Sequence, residues 1–299
     1  MLPSPAAAGE GLRVGAVRRI PVALARPVPF GPMLDLRAIP LARYRASAWL
    51  AATGAAGDGL YSVVRYVIRL VRLLVLLTIW RGTLDGDSPA DHAELSRVLT
   101  YTLIAGAFAM QLDAMTDIGD AIRDGRIATW FVAPVRVFGL AVANTIGRWF
   151  PSLLGYTLPV LLLAPLAGVD PRPASLGSGL AFIPSLGLAI AIGFALDLLL
   201  VSLMARTGWS LWDMRRLRVA FGTVLSGAIV PLAYMPWGLA DWLPWFPLAS
   251  MASAPLRIWT GDGDPVHLVA GQVAWATVGW VAALAAWGTQ RERLVGYGG

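Results

Sequence analysis

Hydrophobic positions in this chain gather into long blocks separated by polar, Gly/Pro-rich or arginine-bearing connections. Each block has roughly the 20 residues that an α-helix needs to cross the ~30 Å hydrocarbon core of a bilayer. Six are predicted: Leu60–Trp80, Val98–Met115, Trp149–Val169, Leu176–Met204, Val219–Leu239 and Val266–Trp287. Blocks of this size, in place of the short runs of a soluble core, predict an all-α membrane protein with six transmembrane helices.

Ahead of the first block, Leu36–Gly54 reads as an amphipathic helix on the inner membrane surface. Pro40 suits its first turn, Leu41, Tyr44 and Ala48 recur at helical spacing, and Arg43 and Arg45 offer cationic heads to anionic lipid. An unstructured basic linker is the alternative. Residues 1–35 form a disordered or non-native extension in this reading, with 36–299 as the six-span domain. The first 32 residues are rich in Pro, Ala, Gly and Arg and have no continuous apolar signal core; a start at Met33 is the sharper alternative to a disordered tail.

Composition agrees. Hydrophobic residues make up 57% and charged residues 14%, with a mean hydropathy of +0.64, whereas a soluble domain is about 25% charged. Cysteine is absent and the two histidines, His92 and His267, are far apart, which argues against disulfides, thiolate sites and metal chemistry. All 24 basic residues are arginine. A complete phosphate-binding loop and lysine Schiff-base chemistry are therefore excluded, so any ATP-driven work needs a second chain.

The formal charge of +6 follows membrane topology, and it forms no basic stripe with interleaved aromatics of the kind nucleic acid requires. With the N-terminus cytoplasmic, the inner connections hold most arginines, among them Arg123, Arg126, Arg136, Arg148, Arg206, Arg215, Arg216, Arg218, Arg291 and Arg293. The outer ones hold Arg81, Arg97, Arg172 and Arg257 beside many carboxylates. Both termini are predicted to face the cytoplasm.

Three places carry candidate function. Arg65, Arg69 and Arg72 line one face of the first span, and Asp197 interrupts the apolar fourth span at an expected similar depth. Buried charge in a bilayer calls for a partner, so an ion pair, a substrate path and unpartnered snorkelling are the readings left open. The loop after the second span, Asp113 to Pro134, predicts a short helix from Asp117 to Asp124 with Gly125 as the residue that ends it. Its Asp117, Asp120, Arg123, Asp124 and Arg126 offer both charge signs to a partner; an ordinary solvated loop is the alternative. Beyond the fifth block, Pro231, Pro236, Pro244, Pro247 and Pro255 interrupt helix, and Trp237, Trp242, Trp245 and Trp259 suit the outer interface. An aromatic belt and an outer gate both fit.

Four stretches together resemble the type-2 permeases of bacterial ABC exporters, in particular an uncharacterised branch that travels as a pair of permeases. They are the lead-in Ala42–Leu50, the run Asp124-Gly125-Arg126-Ile127-Ala128 followed by Pro134, the run Ser226-Gly227-Ala228-Ile229-Val230-Pro231 continuing to Pro236, and the tail Arg291–Gly299. The third is the most specific, being followed by Leu243-Pro244-Trp245-Phe246-Pro247 and Ala254-Pro255. One departure is Phe131-Val132-Ala133-Pro134, where relatives carry a basic residue before the proline.

The resemblance implies six spans, a surface connecting helix, a cytoplasmic coupling helix between spans two and three, and a re-entrant outer segment between spans five and six. It implies that Asp117, Asp120, Arg123, Asp124, Gly125 and Arg126 meet the ATPase, and that Gly227, Pro231, Pro236, Trp242 and Trp245 belong to the outer gate. The chain is then no enzyme and binds no cofactor. ATP and Mg belong to a separate ATP-binding cassette subunit, and a second permease chain, a paralogue or another copy, completes a transporter that moves an amphiphilic, lipid-like or antibiotic-like substrate outward across the bacterial plasma (inner) membrane. Two rival classes are an ion-coupled secondary transporter, for which Asp197 is the sole obvious midplane candidate, and a polytopic membrane enzyme or scaffold, for which clustered catalytic groups are missing.

Overall fold

The computed structural model describes residues 41–84, 86, 88–132, 135–207 and 210–296, and among these all regular structure is helical. Expectations for residues 1–40, including the start at Met33, and for Pro134 and the terminal Gly298-Gly299 lie outside the described residues. The helices are α1 (Leu41–Gly57), α2 (Gly59–Leu84), α3 (Pro89–Ala107), α4 (Ala109–Leu112), α5 (Ile118–Arg123), α6 (Ile127–Val132), α7 (Val137–Ser152), α8 (Leu158–Leu163), α9 (Leu176–Thr207), α10 (Leu211–Leu225), α11 (Leu239–Trp242), α12 (Pro247–Thr260) and α13 (Pro265–Gly296).

Among the described residues three helical runs are long and apolar enough to cross a membrane: Val137–Ala167, Leu176–Met204 and Pro265–Gly288. They correspond to the third, fourth and sixth predicted blocks. The others are helical but carry more charge. α2 has 26 residues and holds Arg65, Arg69 and Arg72, α3 opens on Asp91, His92 and Glu94, and α10 holds Asp213, Arg215, Arg216 and Arg218 in 15 residues.

Several boundaries differ from the predicted ones. The second block stops short of Met115, because the helix breaks at Phe108 and ends at Leu112. The third begins at Val137, twelve residues before Trp149; it continues through a π-turn at Leu153–Thr157 that follows Pro151, where proline removes a ladder donor and the helix widens locally. The fifth is the largest departure. Its helix covers Leu211–Leu225 in place of Val219–Leu239, since Gly227 takes a positive φ of 77° and short turns follow to Trp245.

α9 is the central element, packing on α12 and α13. α12 is buried along nearly all of its length, which its small residues permit. The fully buried Gln272 of α13 ties the three together: its Nε2 donates to the carbonyls of Ser185 (3.0 Å) and Ser250 (2.8 Å), and its Oε1 accepts from Ser185 Oγ. Such satisfied polar groups fix register inside an otherwise apolar core. The start of α3 is set by Ser88, whose Oγ accepts from Asp91 N while Asp91 accepts from Ser88 N, with Pro89 in the first turn.

α1 lies along α7. Tyr44 meets Gly139, Ser47 Oγ donates to Asn144 Oδ1, and the Ala48 carbonyl approaches Gly147 so closely that a Cβ there would overlap it. Only glycine admits backbone at that distance. Gly147→Ala is expected to force α1 off α7 and cost about 1–3 kcal/mol, as overpacked contacts do. A thermal melt of the purified full chain unchanged by the substitution would contradict this docking.

Candidate coupling site

The segment from Asp113 to Arg126 leaves α4, turns, forms α5 and reverses at Gly125, whose φ of 71° meets no neighbouring atom. The helix, Ile118–Arg123, is shorter than the predicted Asp117–Asp124. Its apolar side, Ile118 and Ala121, is buried with Ile127, Trp130, Ala141 and Leu198. The six-residue helix is therefore held by packing, being far too short to persist alone.

Three ion-pair clasps hold the segment. Asp197 of α9, 6% exposed, is the first. One of its oxygens accepts from Arg218 Nη1 at 3.1 Å; the other accepts from the backbone N of Thr116 at 2.8 Å and from the Thr116 hydroxyl. Arg218 also donates to the Ala114 carbonyl at 2.6 Å and lies 3.6 Å from Asp113. Gly193, one helical turn before Asp197, makes room for that backbone, because a Cβ there would stand 2.9 Å from Ala114 O. In the second clasp Arg215 Nη1 donates to both oxygens of Asp120, at 3.1 and 2.9 Å, and Nη2 reaches the Thr116 carbonyl at 3.4 Å. In the third, Arg148 of α7 pairs with the buried Asp117 at 3.0 Å.

Beyond the clasps lies an exposed rim. Arg123 donates to Asp124 at 3.0 Å, Arg126 approaches the same carboxylate at 3.4 Å, and the Arg123 guanidinium sits 5.1 Å from the Trp212 ring centroid. The hydrogen bond from Arg123 holds the Asp124 carboxyl below the usual carboxylate range. Of the predicted coupling residues, Asp117 and Asp120 face the protein, while Arg123, Asp124, Gly125 and Arg126 face outward.

The expected meeting of Asp197 with Arg65, Arg69 or Arg72 does not occur. α2 packs on α3, whereas α9 packs on α4, α5 and α10 in this region, so the carboxylate finds Arg218 instead. Arg69 donates to Ser152 Oγ at 3.2 Å and lies 4.5 Å from the Tyr156 ring centroid; Arg65 donates to Ser62 Oγ at 3.2 Å. The sequence marks Arg148, Arg215 and Arg218 only as inner-side topology residues and gives Thr116 no role. The spacing of Arg215 and Arg218, three apart on one helix face, was the available signal.

At the other end, the Gly227 carbonyl accepts from Tyr101 OH at 2.8 Å, and the Ser226 carbonyl accepts from Ser253 N at 3.0 Å. Pro231 precedes a 3₁₀ turn, Leu232–Tyr234, and Pro236 lies before α11. Trp242 and Trp245 are 71% and 69% exposed, so they do not close onto Gly227 within the chain.

A family model described as an ABC-2 family transporter protein matches residues 90–298. No match was found among curated proteins or among solved structures.

Proposed function

The chain belongs to the ABC-2 family of transporter proteins, and from that premise we propose that it is the permease subunit of an ATP-driven exporter, with six helical crossings and both termini on the cytoplasmic side of a bacterial inner membrane. The family supplies the membrane component of ABC transporters, which work with an ATP-binding subunit. In this reading two permease chains, paralogues or copies, pair with that subunit, and an amphiphilic, lipid-like or antibiotic-like substrate moves outward between them. ATP and Mg stay on the partner.

The observation that carries the reading is the anchoring of the Asp113–Arg126 segment to α7, α9 and α10 through Arg148, Asp197, Arg215 and Arg218. A displaced rim at Arg123–Arg126 would pull on three long elements at once, which a solvated loop would not do. The outer stretch from Gly227 through Pro231 and Pro236 to Trp242 and Trp245 is assigned to the outer gate.

Because the chain has no cysteine, single Asp124→Cys, Ala128→Cys and Thr129→Cys variants, all at exposed positions, can be tested for crosslinking to the co-purified ATP-binding subunit. Crosslinks at this rim are expected, with ATP turnover in the complex and none in the permease alone. Crosslinks confined to residues 206–212 would move the coupling role to the α9–α10 connection; turnover by the isolated permease would overturn the assignment.

A further inference from the structure

Beside the clasp, a cavity of about 230 Å³ opens between α2, α3, α10 and α12. Arg69 and Arg72 line it, as do Arg218 and Asp113, and Arg218 is already engaged by Asp197 and Asp113. Among the described residues no carboxylate lies within 4.0 Å of Arg69 or Arg72. Two further lining groups have buried oxygens without a hydrogen-bond partner: the hydroxyl of Thr102, 2% exposed, and that of Tyr156, 3% exposed. Two cations thus line a space whose wall also carries two buried hydroxyls that have no hydrogen-bond partner among the described residues.

An apolar groove of about 600 Å³ adjoins this cavity, and Leu73 and Tyr156 belong to both walls. Val67, Leu70 and Leu74 of α2 form one side of it and Val160 and Leu163 of α8 the other. The π-turn after α7 places Gly155 against Tyr66, where a Cβ would be 3.2 Å from the ring, and so shapes the end of the groove.

We propose that this paired space binds a lipid with an anionic headgroup, its phosphate or carboxylate oxygens on Arg69, Arg72, Thr102 and Tyr156 and one acyl chain along the α2–α8 groove. Guanidinium groups bind such oxyanions by charge-assisted hydrogen bonds, and the hydroxyls supply the remaining donors. A zwitterionic headgroup would bring a cation against two arginines and is disfavoured. Arg69 lies ten residues beyond Gly59, about 15 Å along the helix axis. That depth is within the hydrocarbon core in the proposed topology, where no resident lipid keeps its headgroup. The ligand is accordingly cargo in passage, a statement that rests on the permease reading; the binding itself does not.

The test uses the full chain in detergent, titrated with fluorescent-tailed phosphatidylglycerol and with phosphatidylcholine bearing the same chains. Phosphatidylglycerol is expected to bind more tightly, and Arg69→Gln with Arg72→Gln to weaken it about tenfold, as loss of charge-assisted bonds does, with little change for phosphatidylcholine. Arg69→Lys with Arg72→Lys, read together with gel-filtration behaviour, should keep the preference for the anionic lipid and so separate charge recognition from misfolding. Leu74→Trp should weaken phosphatidylglycerol by blocking the groove. Equal affinity for the two lipids, or equal loss for both in the glutamine variant, would overturn the headgroup assignment. Full competition by inorganic phosphate with no effect of Leu74→Trp would reduce the site to an anion site and overturn the lipid. ATP turnover in the complex with its partner is measured in parallel: turnover without lipid selectivity rejects the ligand and leaves the transporter reading standing, while selective binding without turnover does the reverse.

Discussion

Asp197→Ala is expected to destabilise the protein by about 3–5 kcal/mol, the cost of leaving a buried charge without its partner. The side chains of Asp197 and Arg218 are only 8% and 3% exposed, so solvent does little to compensate Arg218 once the carboxylate is gone, and the half-exposed Asp113, 3.6 Å away, replaces it only in part. The same change removes the acceptor for the Thr116 backbone and hydroxyl, which detaches the turn ahead of α5. Replacing both partners, Asp197→Leu with Arg218→Met, should recover part of the loss, because no orphaned charge is left, while the Thr116 donors and the Ala114 carbonyl still lack their partners. A double-mutant cycle in the detergent-purified chain, read by thermal unfolding, should give strong coupling for Asp197 with Arg218 and none for Asp197 with Arg69. Coupling to Arg69 in place of Arg218 would contradict the arrangement described above.

Asp197 stands out because a carboxylate inside a 32-residue apolar helix needs an explanation. Its partner is hidden, since Arg65, Arg69 and Arg72 of α2 and Arg215, Arg216 and Arg218 of α10 all satisfy the charge requirement, and depth counting assumes straight, perpendicular spans. The contact depends on α3 ending early, at Phe108, and letting residues 113–116 fold back against Gly193. No local pattern encodes that return. By contrast, α9 and α13 were legible because each is a long apolar run, and Gly125 was legible because a polar helix followed by glycine has one common ending. The fifth block failed for a related reason. Hydropathy continues past Leu225, but Gly227 and the prolines end the helix, and the apolar residues that follow pack as turns and as the buried α12. Leu41, Tyr44 and Ala48 of α1 give an amphipathic signal for the membrane surface, yet Tyr44 and Ala48 are the residues that fit it against Gly139 and Gly147 of α7. Hydrophobicity alone does not tell a lipid-facing helix from one facing another helix.

Arg215→Ala should disconnect ATP turnover from transport while leaving the chain folded. The side chains of Arg215 and Asp120 are 26% and 23% exposed, so this clasp is partly solvated and its loss costs about 1 kcal/mol or less in stability. Mechanically it matters more, because it joins α5 to α10 directly and reaches the Thr116 carbonyl at the root of the segment. If the rim at Arg123–Arg126 receives the motion of an ATPase, a helix freed from α10 rocks without carrying that helix along. The complex should then keep basal ATP turnover and lose substrate-dependent stimulation about tenfold, equivalent to roughly 1.4 kcal/mol of coupling. The exchanged pair, Asp120→Arg with Arg215→Asp, should regain part of the stimulation. Gly125→Val serves as the second arm: a β-branched residue at φ 71° is strained by about 1–2 kcal/mol, and because no atom lies near that position the strain acts on the backbone alone. It should shift the rim and lower stimulation with insertion unchanged. Stimulation that survives both Arg215→Ala and Gly125→Val would show that the force enters the membrane domain through some other element.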